Sequence, residues 1–402
     1  MHRKNLPSFY QSALHPHLSE SQYLTLEMLL LLLQSFRQVK LSRLASLFPQ
    51  PIQYQSRLRN LQRFLALPQL KVRLLWFPIL KYWIRQEFRG RNLNRAQRRR
   101  LKKLKRKSDN YLLIALDRTQ WQGRNLIVAS LIWGKHALPI YWKLLAKKGC
   151  SNLAEQKAML NPVLKLLKPY PIFLLGDREF HSAKLAKFLC KRNVDFALRQ
   201  KKDKNIAGNG QDYYSLDGLS LKPGNSIFLM DITCNKEDSL GPFNFAAYWK
   251  RKYRGKGPKE PWYILTTCPT LKQTLRLYRA RWGIEVMFKD CKTGGYNLED
   301  TKVNDVRFLA LFLLITMAYS LATCQGSFLR KSGVEAYIAC LKQYGRQDPK
   351  HSDFWLGLYG YVWGCAMEVW ADWAAHLMAL KPYKRLYFQR GLNALSLIQS
   401  AF

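Results

Sequence analysis

The chain has 402 residues, and its 66 lysines and arginines against 26 aspartates and glutamates give a formal net charge of +40 at pH 7. A compact protein of this size does not need such an excess for solubility, so the charge implies a polyanionic partner whose binding weakens with salt. The eight cysteines are scattered without a CxxC or Cys/His spacing, which excludes a recognisable zinc site and a disulfide framework.

The first 90 residues are predicted to form a helical DNA-binding module. Helix-period patterns cover Gln22–Phe36 and Leu41–Leu47, and another covers Ile52–Leu67 after a turn with two prolines. The last two helices suggest a helix-turn-helix motif, although a basic helical hairpin is also a common surface feature. The second helix of this pair carries side chains of the types that reach base edges and phosphates, namely Gln55, Arg57, Arg59, Asn60 and Arg63.

Positive charge is concentrated in two runs. Residues 91–110 are interpreted as a basic linker, within which Arg95–Lys107 contains nine cations. The second run, Lys250–Lys259, contains six cations in a segment with glycine and proline. The first run either contacts phosphates or is only a solvated linker, whereas the second lies between two aromatic strands, which favours a DNA-facing loop.

Two short apolar runs each lead to an aspartate. Tyr111–Leu116 is followed by Asp117, and Pro171–Leu175 is followed by Gly176 and Asp177. Each run predicts a strand buried on both faces that ends at the acid. Ligands bind at strand ends in open α/β sheets, because the packed sheet fixes the side chain while its tip stays reachable. One such aspartate alone is more often a turn residue, but two make a candidate site.

The segments around these strands predict an α/β layer architecture. After Asp117, Asn125–Trp133 alternates and turns at Gly134, and Ala137–Leu144 returns, which indicates an antiparallel meander. Glu155–Leu167 and Ser182–Arg192 have helical patterns, and Val194–Leu198 predicts another strand. Alternation of strands and helices is typical of a sheet covered by helices.

Between residues 201 and 272 the pattern changes to short strands separated by glycine, proline and charge clusters. The strand-like segments are Ser226–Ile232, Phe243–Trp249 and Trp262–Thr267. We predict a β-rich insertion in a core that spans residues 111–330.

The most specific pattern lies in the run YRARWGIEVMFKDCKTGG. Arg281, Glu285 and Lys292 stand 3, 7 and 14 residues after Tyr278. On one continuous α-helix these four side chains would project within an arc of roughly 60°. A glutamate flanked by cations on a helix is usually only a surface ion-pair array. With the two aspartates, however, it completes a set of three carboxylates that can hold two Mg²⁺ ions for phosphoryl transfer.

The spacing Tyr-x2-Arg-x3-Glu-x6-Lys, with Asp117 in LLIALDRTQW and Asp177 in FLLGDREFHS, resembles DDE insertion-sequence transposases of the IS-four group. The resemblance covers about residues 110–325. It implies an α/β fold: a ribonuclease H-like catalytic core with a β-rich insertion, a helical N-terminal DNA-binding module and a helical C-terminal region. It also implies that Asp117, Asp177 and Glu285 bind two Mg²⁺ ions, for which Mn²⁺ can substitute.

The resemblance assigns DNA contacts to further residues. Arg281 and Lys292 are expected to bind phosphates near the scissile bond, and Tyr278 to position the strand. Trp262, at the head of the last insertion strand, is expected to stack on, or in place of, a base flipped out of the duplex, a contact worth about 1–3 kcal/mol per base. The alternative is that Trp262 only packs its strand against the core, and Trp249 is a second candidate for the stacking contact.

The implied activity is that of a transposase that binds the terminal inverted repeats of an insertion sequence, cleaves DNA and transfers the freed 3′ end. The expected partners are double-stranded DNA, as transposon ends and target, and a second copy in a synaptic homodimer. The expected location is the bacterial cytoplasm, in association with the nucleoid. A ribonuclease H-like nuclease without strand transfer and a non-catalytic domesticated DNA-binding protein are the alternatives.

The C-terminal region, residues 331–402, has a helical pattern rich in aromatic residues. The resemblance implies that these helices serve contacts between copies, and the alternative is that the aromatic residues only pack internally. Two apolar runs, Leu24–Leu33 and Phe308–Ala322, fall short of the ~20 residues that a membrane span needs. The second run suits a buried core helix. The N-terminus is polar and lacks the apolar segment of a signal peptide, so no membrane partner is expected.

Overall fold

The computed structural model describes five stretches of the chain, residues 6–88, 111–208, 212–251, 257–341 and 349–402. They form two compact units, one of residues 1–83 with 290–402 and the other of residues 84–289. The N-terminal and C-terminal helical regions therefore belong to one unit, whereas the sequence suggested separate domains. This helical unit also includes residues 290–330, which the sequence placed in the core.

Two of the predicted segments fall outside the described stretches. The whole basic linker, residues 91–110, lies outside them, and residues 252–256 of the basic run Lys250–Lys259 also lie outside. Their interpretation as DNA-contacting segments stays a prediction.

The unit of residues 84–289 is built on one sheet, which has ten strands within the described residues. These strands are β1 Leu112–Trp121, β2 Arg124–Trp133, β3 His136–Leu145, β4 Ile172–Gly176, β5 Asp195–Arg199, β6 Asn205–Ala207, β7 Tyr214–Ser215, β8 Ser226–Cys234, β9 Leu240–Tyr248 and β10 Trp262–Thr266. Their order across the sheet is β3-β2-β1-β4-β5-β10-β9-β8-β6-β7.

The sheet is mixed. Strands β1, β2 and β3 form the antiparallel hairpins that the sequence predicted, and β4 and β5 run parallel to β1. From β10 onward every pairing is antiparallel. The strands of the predicted β-rich insertion therefore do not form a separate sheet, because β10 pairs with β5 and continues the core sheet.

The described helices, numbered in chain order, are α1 Ser8–Leu14, α2 Glu20–Phe36, α3 Leu41–Leu47, α4 Tyr54–Phe64, α5 Phe77–Phe88, α6 Leu153–Leu167, α7 Ala183–Cys190, α8 Leu271–Arg279, α9 Trp282–Cys291, α10 Asp305–Lys331, α11 Asp353–Val369, α12 Ala371–Ala379 and α13 Arg385–Gln399. Helix α6 shows how the sequence sets a boundary. The Asn152 side chain accepts a hydrogen bond from the Glu155 amide at 2.9 Å, and the Glu155 carboxylate accepts one from the Asn152 amide at 2.7 Å. This capping box starts the helix before Glu155, where the apolar pattern alone placed the start.

Strand β1 is longer than predicted. The sequence suggested that it ends at Asp117, but it continues to Trp121. Its parallel pairing with β4 stops at the pair Leu116 and Gly176, whereas its pairing with β2 continues, with Asp117 opposite Val128. Asp117 therefore marks the end of one ladder and not the end of the strand.

The prediction of one continuous helix from Tyr278 to Lys292 is wrong. Helix α8 ends at Arg279, α9 runs from Trp282 to Cys291, and Lys292 lies beyond α9. At the junction the amides of Ala280, Arg281, Gly283 and Ile284 bond to carbonyls three residues back. The backbone thus tightens into a 3₁₀-type turn that separates the two helices.

In the helical unit, α10 is the central buried helix. It packs against α2 and α11, and a Cβ at Gly326 would collide with the Asp353 carbonyl, so glycine permits the close approach of α10 and α11. This helix is the one within the described stretches that is long and apolar enough to cross a membrane, and 83% of its most apolar window is buried against the protein. The predicted apolar run Phe308–Ala322 lies inside it.

Helices α3 and α4 lie where the helix-turn-helix was predicted and contact each other. The Arg57 guanidinium, proposed to face DNA, instead donates to the backbone carbonyls of Ala45, Gln50 and Ile52. Arg57 therefore fixes the turn between the helices. Asn60 bonds to Gln50, and Arg63 bonds to Asn60, whereas Gln55 and Arg59 are exposed on α4.

Candidate active site

The two aspartates lie next to each other at one edge of the β1–β4 ladder. The last pair of that parallel ladder joins Leu116 to Gly176, and each aspartate is the next residue of its chain. Asp117, still within β1, and Asp177, directly after β4, thus lie at the same level where the parallel ladder ends. This is the arrangement expected for side chains that share a ligand at the carboxyl ends of parallel strands.

Backbone contacts fix the Asp177 carboxylate. A Cβ at Gly176 would lie 2.8 Å from both Leu198 Cδ2 and Phe180 Cβ, so the chain passes too close to its neighbours for any other residue there. Asp177 then caps a 3₁₀ turn, Arg178–Phe180, and its Oδ1 accepts a hydrogen bond from the Glu179 amide at 2.9 Å. The strand end and the cap together orient the carboxylate.

Glu285 reaches the aspartates through Arg281. The Arg281 guanidinium donates from Nη1 to Asp117 Oδ2 at 3.1 Å and from Nη2 to Glu285 Oε1. A Cβ at Gly283 would lie 2.8 Å from the His136 carbonyl oxygen, so the start of α9 rests directly on β3. The third acid of the predicted triad is therefore held at the same place as the first, with a cation between them.

The carboxylates repel one another in a poorly solvated place. Burial raises the pKa of Asp117 to about 7, and the negative charges of Asp177 and Glu285 add to this rise, while Arg281 and the Arg118 amide oppose it. Burial also raises the pKa of Asp177. One guanidinium does not balance three carboxylates, so the site favours additional positive charge.

This donor set fits a hard divalent cation. Mg²⁺ prefers carboxylate oxygens, and three carboxylates converge here with their negative charge incompletely balanced. As placed, no three His, Cys, Asp or Glu side chains of the described stretches stand together as a metal-ligating group. The Arg281 guanidinium lies between Asp117 and Glu285, so those two oxygens could hold a metal ion only if Arg281 moved.

Tyr278 and Trp262 form an aromatic wall next to the acids. Tyr278 is buried, which raises the pKa of its phenol to about 12, and Arg281 and Arg199 are the nearby charges that oppose this rise. The Tyr278 ring meets the half-buried Trp262 ring edge to face at 5.1 Å. Trp262 thus packs on the core with one part and stays accessible with another.

Trp249, the second stacking candidate, lies in a cavity that Trp262 does not line. Its indole Nε1 donates to the Pro258 carbonyl at 3.1 Å. It lines a cavity of about 300 Å³ together with Arg178 and Arg199. This cavity is basic and aromatic, but Trp262 is not among its lining residues.

Lys292, the last residue of the predicted four-residue face, belongs to the helical unit. Its Nζ lies 3.4 Å from Glu299 Oε1. The structure thus brings Tyr278, Arg281 and Glu285 together with the two aspartates in one unit, and describes Lys292 in the other.

One part of this region was missed by the sequence analysis. Arg118 and Glu179 form a partly buried ion pair beside the two aspartates, with Nε 2.6 Å from Oε2. Both residues stand in the runs LDRTQW and GDREF that drew attention to the aspartates. A signal was present, because Arg118 directly follows Asp117 and Glu179 is the second residue after Asp177, but only the fold shows that they pair.

Residues 143–321 match the family model of a transposase DDE domain. The matched segment includes Asp177 and the Tyr-Arg-Glu-Lys pattern and begins after Asp117. No curated protein matches the chain. Among solved structures, the cryo-EM structure of a piggyBac transposase synaptic complex with hairpin DNA is similar over 90% of this chain and 77% of its own, with 13% identity and a TM-score of 0.40. The family match supports a transposase DDE domain within residues 143–321.

Proposed function

We propose that this protein is a DDE insertion-sequence transposase of the IS-four group that binds terminal inverted repeats, cleaves DNA and transfers the freed 3′ end. The observation that carries the proposal is the convergence of Asp117, Asp177 and Glu285 around Arg281 in a chain that matches a transposase DDE domain. The order β3-β2-β1-β4-β5, with the first three strands antiparallel and the last two parallel to β1, supports a ribonuclease H-like core.

We assign Asp117, Asp177 and Glu285 as the side chains that hold two Mg²⁺ ions. Ions held there would supply charge stabilisation for the oxygens of a phosphoryl transfer. The protein's own contribution is positional: a packed sheet and the capped turn after β4 hold the aspartates, and α9 holds the glutamate. Positioning and charge stabilisation account for most of the rate in this class of reaction.

The proposed DNA contacts surround these acids. Arg281 reaches the carboxylates directly, so a phosphate bound beside them would be within its range. Tyr278 is buried next to it, where the phenol can orient a strand, and the accessible part of Trp262 can stack on a flipped base. Lys292 is proposed as a further phosphate contact, for which its spacing from Glu285 is the support.

Recognition of the element ends is proposed for the N-terminal helices. The exposed residues Gln55 and Arg59 on α4 are the candidates for base or phosphate contacts, because Arg57 is engaged with the turn. The net charge of +40 supports DNA as the partner. We place the protein in the bacterial cytoplasm, on the nucleoid.

A homodimer is proposed for the complex that pairs two ends. Consecutive helices α12 and α13 and their flanking residues expose large apolar side chains, with Trp370, Trp373, Tyr383 and Tyr387 each 59–75% exposed. Aromatic side chains present about 150–250 Å² each, so these four alone expose roughly 500 Å². That is more than half of the ~800 Å² that each partner buries in a standard interface. A second copy is the partner that a synaptic complex supplies.

The test is a cleavage assay with a labelled duplex that carries the element end, in Mg²⁺ or in EDTA. We expect cleavage at the end in Mg²⁺, and its loss of at least 10²-fold in Glu285→Gln with DNA binding retained, because the amide removes one of three anionic ligands. Glu237→Gln is the matched control, since Glu237 is an exposed acid in the β8–β9 turn. Equal loss of DNA binding in Glu285→Gln would contradict the assignment, and binding without cleavage by the wild type, even with Mn²⁺, would favour a non-catalytic DNA-binding protein.

A further inference from the structure

A partly buried hydrogen-bond network lies beside the two aspartates. Glu179, two residues after Asp177, has a side chain that is 7% exposed. Its carboxylate accepts three hydrogen bonds, from Arg118 Nε at 2.6 Å, from the Ser151 amide at 2.8 Å and from Ser151 Oγ at 2.6 Å. The two oxygens of Glu179 are thus engaged by protein donors, which suits a structural role and not metal ligation.

Arg118 extends the network to a third segment. Its Nη1 donates to Asn125 Oδ1 at 2.8 Å, and Asn125 Nδ2 donates to the carbonyls of Lys147 at 2.9 Å and Gly149 at 2.8 Å. Side chains therefore join β1, β2, the turn after β4 and the segment that leads into α6. These segments are distant in sequence, and none of the joining residues was assigned a role in the reaction.

The network acts on each aspartate through the backbone. The Arg118 amide donates to Asp117 Oδ1 at 2.8 Å, and the Glu179 amide donates to Asp177 Oδ1 at 2.9 Å. Each carboxylate is therefore oriented by the amide of a residue whose side chain is locked in the Arg118–Glu179 pair. Because successive side chains of a strand point to opposite faces, Arg118 can pair with Glu179 without entering the space beside Asp117.

From this geometry we infer that Glu179 and Arg118 are positioning residues, which hold Asp117 and Asp177 in the relative placement that divalent-metal binding requires. The inference rests on the proposed function. Side chains that orient metal ligands commonly change metal affinity about 10–100-fold when they are altered, whereas an ion pair that serves folding alone changes stability without a separate effect on the metal.

The chain offers a matched control in the same turn. Arg178, between Asp177 and Glu179, pairs with Glu260 at 2.8 Å, but these side chains are 51% and 57% exposed. Glu260→Gln removes one carboxylate from an ion pair of the same turn without touching the backbone bonds to the aspartates. Glu179→Gln likewise removes one carboxylate, but from the Arg118–Glu179 pair, and so it also weakens the contact with Arg118.

The experiment measures Mn²⁺ binding by electron paramagnetic resonance on protein bound to a duplex that is already cleaved at the element end. Thermal unfolding and DNA affinity are measured on the same samples. For Glu179→Gln we expect Mn²⁺ affinity to fall about 10–100-fold with DNA affinity retained, and excess Mn²⁺ to restore cleavage of an intact end. Glu260→Gln should bind Mn²⁺ like the wild type.

A milder variant guards against misfolding. Ser151→Ala removes the hydroxyl donor to Glu179 but leaves the Ser151 amide bond, so a smaller loss of Mn²⁺ affinity is expected at unchanged unfolding temperature. The inference is overturned if both variants bind Mn²⁺ with wild-type affinity, or if metal affinity falls only together with DNA affinity and folding. Failure of the proposed function gives a different result. In that case Asp117→Asn and the wild type bind Mn²⁺ equally, because no Mn²⁺ binding depends on Asp117.

Discussion

Of the acids in the candidate site, Asp117 is the one whose charged form its surroundings disfavour most. Burial raises its pKa to about 7 from the ordinary value of 3.8 that it has in an unfolded chain. Between those two values the folded protein keeps a proton that the unfolded chain releases. The contribution of Asp117 to the free energy of unfolding therefore falls as pH rises from about 4 to about 7, and the full penalty is present above pH 7.

Asp117→Asn removes this penalty. In EDTA we expect the stability of the variant relative to wild type to increase by about 2–4 kcal/mol between pH 4 and pH 8, because one pKa unit corresponds to about 1.4 kcal/mol. The Asp117–Arg281 hydrogen bond is already contained in this slope, because Arg281 favours the charged form of Asp117 and so lowers its pKa. Urea unfolding at both pH values, with Glu237→Gln as the control, measures the difference. A stability difference that does not vary with pH would show that Asp117 is charged like an ordinary carboxyl.

At the scale of elements, the break between α8 and α9 decides where Glu285 lies. The 3₁₀-type turn at Ala280–Ile284 replaces the straight helix that the Tyr-Arg-Glu-Lys spacing predicted, and Gly283 brings α9 onto the His136 carbonyl. The glycine contact is therefore as much a part of the site as the acids, since it sets the approach of α9 to the sheet.

Gly283→Ala tests that contact. The added Cβ would lie 2.8 Å from a backbone oxygen that cannot move freely, so α9 must shift. We expect a loss of about 1–3 kcal/mol of stability, typical of overpacking, and a drop in cleavage larger than any loss of DNA binding. Gly218→Ala is the control, because a Cβ there meets nothing within 4 Å. If Gly283→Ala cleaves and unfolds like the control, α9 is not held by this contact.

The same two places show how far the sequence alone could lead. Apolar runs predicted β4, β5 and the β2–β3 hairpin, since burial and alternation are local properties of the chain. They could not predict that β1 continues past Asp117, because that depends on its pairing with β2, nor the break before α9, because that depends on contact with β3. The Arg118–Glu179 pair was out of reach for the same reason: its partners are 61 residues apart and meet only in the folded sheet.

At the scale of the whole molecule, the exposed apolar surface of the C-terminal helices contrasts with the strongly basic composition. The surface comprises Val369, Trp370, Trp373, Leu377, Leu380, Tyr383, Leu386 and Tyr387, all at least 59% exposed. Monomeric proteins rarely leave apolar patches larger than about 300–600 Å² uncovered. Two copies of a chain with net charge +40 repel each other, so apolar contact on this surface would be opposed until DNA neutralises the charge.

This balance predicts association that depends on DNA. We expect the free protein to sediment largely as a monomer at low salt. With DNA, the protein should pair two end duplexes in one complex, because bound phosphates remove the repulsion and leave the apolar contact.

The double variant Trp373→Ser with Tyr387→Ser should bind one end with unchanged affinity, since both side chains are exposed, but should reduce paired-end complexes at least tenfold. Met230→Ser, which removes a side chain 59% exposed in the other unit, is the control. Analytical ultracentrifugation with fluorescent duplexes counts the ends in each complex, and paired-end complexes at wild-type level in the double variant would assign the dimer contact to another surface.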